Sequence, residues 1–360
     1  MDENHSLSYA EEEKVKNTVH LKGLLEQLPF FCYTYFRGIA QTTSVKTRMG
    51  YAYDLKIFFG FLCECHPHFK GTKFEDIRPE DLDYVKSTDI EEFLDYVSIY
   101  SPYDDESGST KNETILNSES AKSRKLAAVR SMYKYYLRKG YITSDPAALV
   151  ETPKIHDKNI IRLEANEVAN LLDEVETGDN LTERQRKYHE KTKIRDLAII
   201  STMVGTGIRV SECVGLNIDD IDFESYSFII TRKGGKQAQI YFGDEVAEAL
   251  SDYIAYRKEH PPADENDKAL FLSSKGKRIS VRQVQLMVKK YSQGVVKLKK
   301  ITPHKLRSTF GTNLYLETGD IYLVADVLGH ADVNTTRKHY TATEVELKRK
   351  AARKINLRKD

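Results

Sequence analysis

The sequence predicts a mainly α protein of the α+β class: a helical N-terminal domain, then a mixed α/β domain with one small antiparallel sheet. Three observations lead there. Apolar residues recur at helical spacing through most of the chain, as in Leu55, Phe58, Phe59 and Leu62. The period changes to that of strands between Asp219 and Phe242, where SFIIT and QAQIYF flank the turn Arg232-Lys233-Gly234-Gly235-Lys236, with glycines where φ > 0 is needed. The stretch Thr152-Pro153-Lys154-Ile155-His156-Asp157-Lys158 has no apolar periodicity and reads as a linker between two halves of the 360 residues.

In chain order, residues 1–25 are polar and acidic and read as an N-terminal arm, frayed or briefly helical. The helical domain spans 26–152. It holds a helix over Thr43 to Cys65 and a second over Ile90 to Ile99, capped by Thr88-Asp89 with Glu91 and Glu92 in its first turn. The polar run Ser101 to Ser120 reads as a long loop, a kind that is functional or mobile. A basic helix follows over Ala121 to Lys139, burying Leu126, Val129, Tyr133 and Tyr136 and lining a neighbouring face with Arg130, Lys134 and Arg138; Gly140 stops it. The linker covers 153–160 and the second domain 161–360. That domain opens with a helix over Glu164 to Val175 and a charged insertion from Thr177 to Lys193. An apolar helix over Asp196 to Val204 comes next, closed by Gly205-Thr206-Gly207. After the hairpin the pattern is again mostly helical, ending in a basic helix over 343–358.

Composition narrows the function classes. With 40% hydrophobic and 30% charged residues the chain is expected to be soluble and globular. No apolar run approaches the ~18 residues of a membrane span, and the acidic start without an apolar core predicts no secretory signal. Four cysteines make no disulfide framework, so a cytoplasmic setting is expected. Cys63-Glu64-Cys65-His66-Pro67-His68 is tighter than zinc-ligand spacing and reads as a helix end broken by proline; no metal or other cofactor is expected.

The net charge of +1, from 55 Lys and Arg against 54 Asp and Glu, hides an asymmetry. Residues 261–360 hold 21 basic and 10 acidic residues, whereas the first 260 hold 34 and 44. Residues 271–310 carry eleven basic residues and no carboxylate, and 122–144 carry seven and none. Such stripes suit a polyanion, although a charge run alone equally marks a solvated face. Candidate contacts to duplex DNA are Lys122, Arg124, Arg130, Lys134 and Arg138 in the first domain, and Lys275, Lys277, Arg278 and Arg282 in the second.

Chemistry gathers in the second domain. GTGIRVSE places Arg209 after a glycine turn with Glu212 three residues on, Lys233 sits in the hairpin turn, and TPHKLR sets His304 and Arg307 on one helix face. LGH ends a helix at His330, and Tyr340 follows. Each has an ordinary structural explanation alone: a packed histidine, an ion pair, a solvated lysine. Together the residue types suit metal-free attack on a phosphodiester. Arginines grip the non-bridging oxygens bidentately, histidines hold the phosphate or move protons, a lysine protonates the leaving oxygen and a tyrosine hydroxyl is the covalent nucleophile. Composition does not choose that nucleophile among 22 tyrosines.

The order GTGIRVSE, RKGGK, TPHKLR, LGH, HY resembles the tyrosine recombinase (phage integrase) family over nearly the whole second half. The resemblance implies Arg209, Lys233, His304, Arg307, His330 and Tyr340 as catalytic residues, Tyr340 as nucleophile and Glu212 as support for Arg209; Lys236 stays open as an alternative to Lys233. It also implies a core-binding domain in the first half, where SRKLAAVRSMYKYYLRKGYITSDPA is the clearest match, clamping DNA opposite the catalytic domain. RQRKYHEKTKIRDLAII, TRKGGK and VKKYSQ are most similar to Xer recombinases of the single-protein XerS type. A Xer-like enzyme implies recombination through a 3′-phosphotyrosyl link and a Holliday junction at a near-palindromic site, for chromosome-dimer resolution. It further implies a tetramer joined by the C-terminal helix through Leu347, Ala351 and Ile355, and a DNA translocase as partner. The alternatives are an integrase or transposase of a mobile element, a type IB topoisomerase-like activity, and a non-catalytic DNA-binding regulator.

Overall fold

A computed structural model describes residues 8–100, 115–154, 161–232, 235–264, 267–296 and 298–329. The chain divides into two compact units, residues 1–157 and 158–360. The first contains α1 (Tyr9–Leu25), α2 (Cys32–Gly38), α3 (Val45–Cys65), α4 (Ser87–Tyr96), the short antiparallel pair β1 (Ile99–Tyr100) and β2 (Ile115–Leu116), and α5 (Glu119–Lys139). Its core is aromatic: Phe31 meets Tyr136 edge-on at 5.3 Å between ring centroids, and Phe58 meets Phe93 at 5.1 Å, the arrangement ring quadrupoles favour.

Two expectations change here. Residues 9–25 are helical, as one of the two readings allowed, but they form a packed helix of 17 residues and not a brief one. Ser8 and Glu11 form a reciprocal cap that starts α1, and Leu21, Leu24 and Leu25 are buried where the helix lies on α3. The acidic first turns hid that apolar end. The helix expected over Ile90 to Ile99 runs instead from Ser87 to Tyr96, because the Asp89 carboxylate accepts the Lys86 N–H at 2.7 Å and Ile99 belongs to β1. Most of the polar run Ser101 to Ser120 lies outside the described residues; its end starts α5, with Ser118 as cap and Gly140 (φ +74°) at the far terminus.

The second unit contains α6 (Ala165–Thr177), α7 (Glu183–Thr206), α8 (Val210–Gly215), strands β3 (Ile221–Asp222), β4 (Ser227–Thr231) and β5 (Gln237–Tyr241), then α9 (Asp244–Glu259), α10 (Val281–Val295), α11 (Pro303–Thr318) and α12 (Ile321–Leu328). The strands form one antiparallel sheet in sequence order, with Phe228 opposite Ile240 and Thr231 opposite Gln237. Helix α7 packs against α6, α9 and α11. The charged insertion expected before it is in large part its own first half, capped by Thr182 and Gln185. His189 is fully buried there, its Nε2 2.8 Å from the Val175 carbonyl. Asp196, expected near a helix start, sits mid-helix and buried, accepting from Tyr291 Oη at 2.8 Å and Thr192 Oγ1 at 3.0 Å and pairing with Arg195. Among the described residues no helix is long and apolar enough to cross a membrane.

Candidate active site

The glycine turn after α7 sets the site's geometry. Gly207 has φ +65°, a backbone conformation L side chains rarely adopt. A Cβ there would overlap the Phe310 ring of α11, so only glycine lets the turn lie this close to its neighbour. The chain leaves the turn extended at Arg209, which caps α8. Glu212, 8% exposed, accepts both the Arg209 N–H at 2.7 Å and its Nη1 at 2.8 Å. One carboxylate thus caps the start of the helix and orients the guanidinium, while the Arg209 side chain stays 40% exposed.

Arg307 lies in the first turns of α11, which opens with Pro303 as its first residue. It is 6% exposed, donating through Nη1 to the Gly207 carbonyl at 2.6 Å and through Nη2 to the Leu328 carbonyl. Arg209 Nη2 reaches the adjoining Gly329 carbonyl at 3.4 Å. The two arginines, nearly a hundred residues apart in sequence, therefore meet at the C-terminal end of α12, directly before His330. His304 is exposed one helical turn ahead of Arg307 and its carbonyl accepts from Ser308 Oγ at 3.0 Å. Two cations and a histidine gathered around an exposed surface make an anion-binding arrangement suited to a phosphodiester. Lys233, His330, Tyr340 and the 343–358 helix lie outside the described residues; Lys236 is exposed beside β5.

The candidate DNA contacts divide by what their charges already touch. Lys134, Arg138, Lys275, Lys277 and Arg282 are exposed, and Lys122 pairs with Glu119 at 2.7 Å. Arg130 turns inward, donating to the carbonyls of Ala147 and Val150 and to Thr152 Oγ1. Arg278 donates to the carbonyls of Val214 and Leu216 and to Asn217 Oδ1. Arg124 pairs at 2.5 Å with Asp54, which is fully buried. These three guanidinium groups hold the fold together, a use that helical spacing does not reveal.

The Cys63–His68 cluster takes its place at the end of α3. His66 faces Asp89 at 3.3 Å, and His68 stacks on Tyr84 with ring centroids 3.8 Å apart. Among the described residues no three His, Cys, Asp or Glu side chains gather as a metal site requires. Sequence reasoning missed Arg232, whose only sequence signal is its place beside the lysine turn. Its guanidinium joins the end of β4 to the same carbonyl end of α12.

The profile of the phage integrase family matches residues 161–346. The chain is 34% identical over 320 residues to the tyrosine recombinase XerC of Caldanaerobacter subterraneus subsp. tengcongensis, covering 87% of this chain and 82% of that protein. It is 30% identical over 333 residues to the tyrosine recombinase XerS of Streptococcus uberis, covering 86% and 90%. In fold it resembles the XerH site-specific recombinase solved on a palindromic difH substrate, with a TM-score of 0.60 at 19% identity over 87% of this chain and 81% of that one.

Proposed function

The chain belongs to the phage integrase family, as a Xer-type tyrosine recombinase that breaks and rejoins DNA, and on that premise we propose that Tyr340 is its nucleophile. The Tyr340 oxygen bonds to the scissile phosphorus while the bond to the 5′-oxygen breaks, leaving a 3′-phosphotyrosyl link. His304 takes the tyrosine proton, and Lys233 supplies a proton to the departing 5′-oxygen. Arg209, Arg307 and His330 balance the charge on the non-bridging oxygens. The 5′-hydroxyl of a partner duplex reverses the step, so the phosphodiester energy is kept and strands exchange through a Holliday junction. The observation that carries this reading is the meeting of Arg209 and Arg307 on the carbonyls just before His330.

The finer reading follows the family resemblance. The substrate is a near-palindromic duplex site contacted by basic residues of both units. Four subunits act on two sites, joined by the 343–358 helix through Leu347, Ala351 and Ile355. The role is chromosome-dimer resolution, with a DNA translocase as partner.

A nicked suicide duplex tests the chemistry. Wild-type protein should trap a covalent adduct, and Tyr340→Phe should bind equally and trap none; an adduct with that variant would remove Tyr340 as nucleophile. Genomic DNA selected by Tyr340→Phe tests the role. A single site near the replication terminus is expected, whereas recovery of mobile-element ends would overturn it.

A further inference from the structure

Arg232 directly follows β4 and directly precedes Lys233. Its backbone closes the hairpin, with its N–H donating to the Lys236 carbonyl at 2.7 Å and its own carbonyl accepting from Gly235 N–H at 3.1 Å. Its side chain leaves the hairpin altogether. Nη2 donates to the Val327 carbonyl at 2.8 Å and Nη1 to the Asp326 carbonyl at 3.3 Å. Those carbonyls lie in the last turn of α12, where helical partners run out and the negative end of the dipole attracts a cation.

The fit is close on both sides. Gly329 (φ +62°) ends α12, and a Cβ there would overlap the Arg232 guanidinium. Arg232 Nε is buried and has no hydrogen-bond partner among the described residues, so the two carbonyls set the orientation of the group. Arg307 and Arg209 take the next two carbonyls, of Leu328 and Gly329. Four consecutive carbonyls, 326 to 329, thus accept from three arginines on three different elements. Helix α12 in turn rests on α11, with Val324 and Leu328 against Phe310 and Leu314. Capping α12 needs only a donor within reach of its last carbonyls. This one occupies the position whose backbone also shapes the lysine turn.

We infer that Arg232 is a positioning residue for this site, tying the end of β4, which leads into Lys233, to the end of α12, which leads into His330. The inference rests on the phosphodiester site proposed above. Its test replaces the 5′-bridging oxygen of the scissile phosphate by sulfur, because a thiolate leaves without a proton and a misplaced lysine then costs nothing. Single-turnover cleavage of nicked duplexes is measured with both substrates. Arg232→Ala should bind DNA as wild type does, cleave the oxygen substrate about 30-fold more slowly, and cleave the sulfur substrate within about threefold of wild type. Arg232→Lys, which keeps one donor for the α12 carbonyls, should fall between them on the oxygen substrate; should Arg232→Ala fail to fold, this variant decides on the same pair of substrates. Equal slowing on both substrates, or none, would overturn the role of Arg232 while leaving the site intact. Absence of any adduct from the wild-type protein would remove the site itself, and Arg232 with it.

Discussion

Arg209 and Arg307 are held in different ways, and their variants should fail differently. Arg307→Ala leaves the Gly207 and Leu328 carbonyls without a buried donor and opens a cavity, so it should lose about 2–4 kcal/mol of stability as well as cleavage. Arg209→Ala, at a half-exposed position, should lose cleavage with little change in melting temperature; an equal thermal shift for both variants would contradict this division. Glu212→Ala removes the orienting carboxylate but not the cation, and should slow adduct formation about tenfold. Burial pushes the Asp54 carboxyl up to about 6 although Arg124 and Lys125 pull it down. The folded protein therefore holds that proton more tightly than the unfolded chain, where an aspartate titrates near ~3.9. The stability this group contributes is complete below about pH 4 and is lost as pH rises through about 6. Asp54→Asn should flatten that slope in urea midpoints measured across the interval, and an unchanged slope would remove Asp54 as its source. Arg209, Glu212 and Arg307 were legible in the sequence because each sits in a short, ordered motif. The internal bonds of Arg124, Arg130 and Arg278 were not, because spacing places a side chain on a face without showing which distant carbonyl or carboxylate it meets there.

The helices show the same contrast one level up. Strands β4 and β5 followed from a change of period and a glycine turn, and α5 from its apolar stripe and Gly140. Helix α7 reads from sequence as a charged insertion and a separate apolar helix because its first half is charged. What continues it is tertiary: His189 anchored on Val175, and Asp196 gathering Tyr291, Thr192 and Arg195. Gly207 is the joint at its end. Gly207→Ala meets both a strained φ and the Phe310 ring, and should cost about 2 kcal/mol or more in urea unfolding. A neutral effect would mean the turn can move away from α11 at little cost.

Across the molecule, binding to DNA should depend steeply on salt, because displaced counterions dominate such affinities. The exposed Lys277 and Arg282 should each lower the salt slope by about one when changed to alanine, whereas Arg278→Ala should cost about 2 kcal/mol of stability by stranding the carbonyls of Val214 and Leu216. Equal salt slopes for Lys277→Ala and wild type would take that lysine out of the interface. The near-neutral total charge was uninformative in sequence, and the fold explains part of the reason: several basic residues within 271–310 serve internal bonds, as Lys290 does with Asp196 and Lys299 with Glu167. Arg209 and Arg307, the two arginines proposed to hold the phosphate, carry a last consequence. An arginine free in solvent gives up about 2 kcal/mol of rotamer entropy when a ligand fixes it, but these side chains are immobilised when the chain folds. Phosphate then meets donors that need little further ordering, and the affinity of the site becomes a property of folding. Warming the protein toward its melting point should therefore erode adduct formation before it erodes DNA binding, since the exposed lysines at the surface need no such arrangement to attract a phosphate.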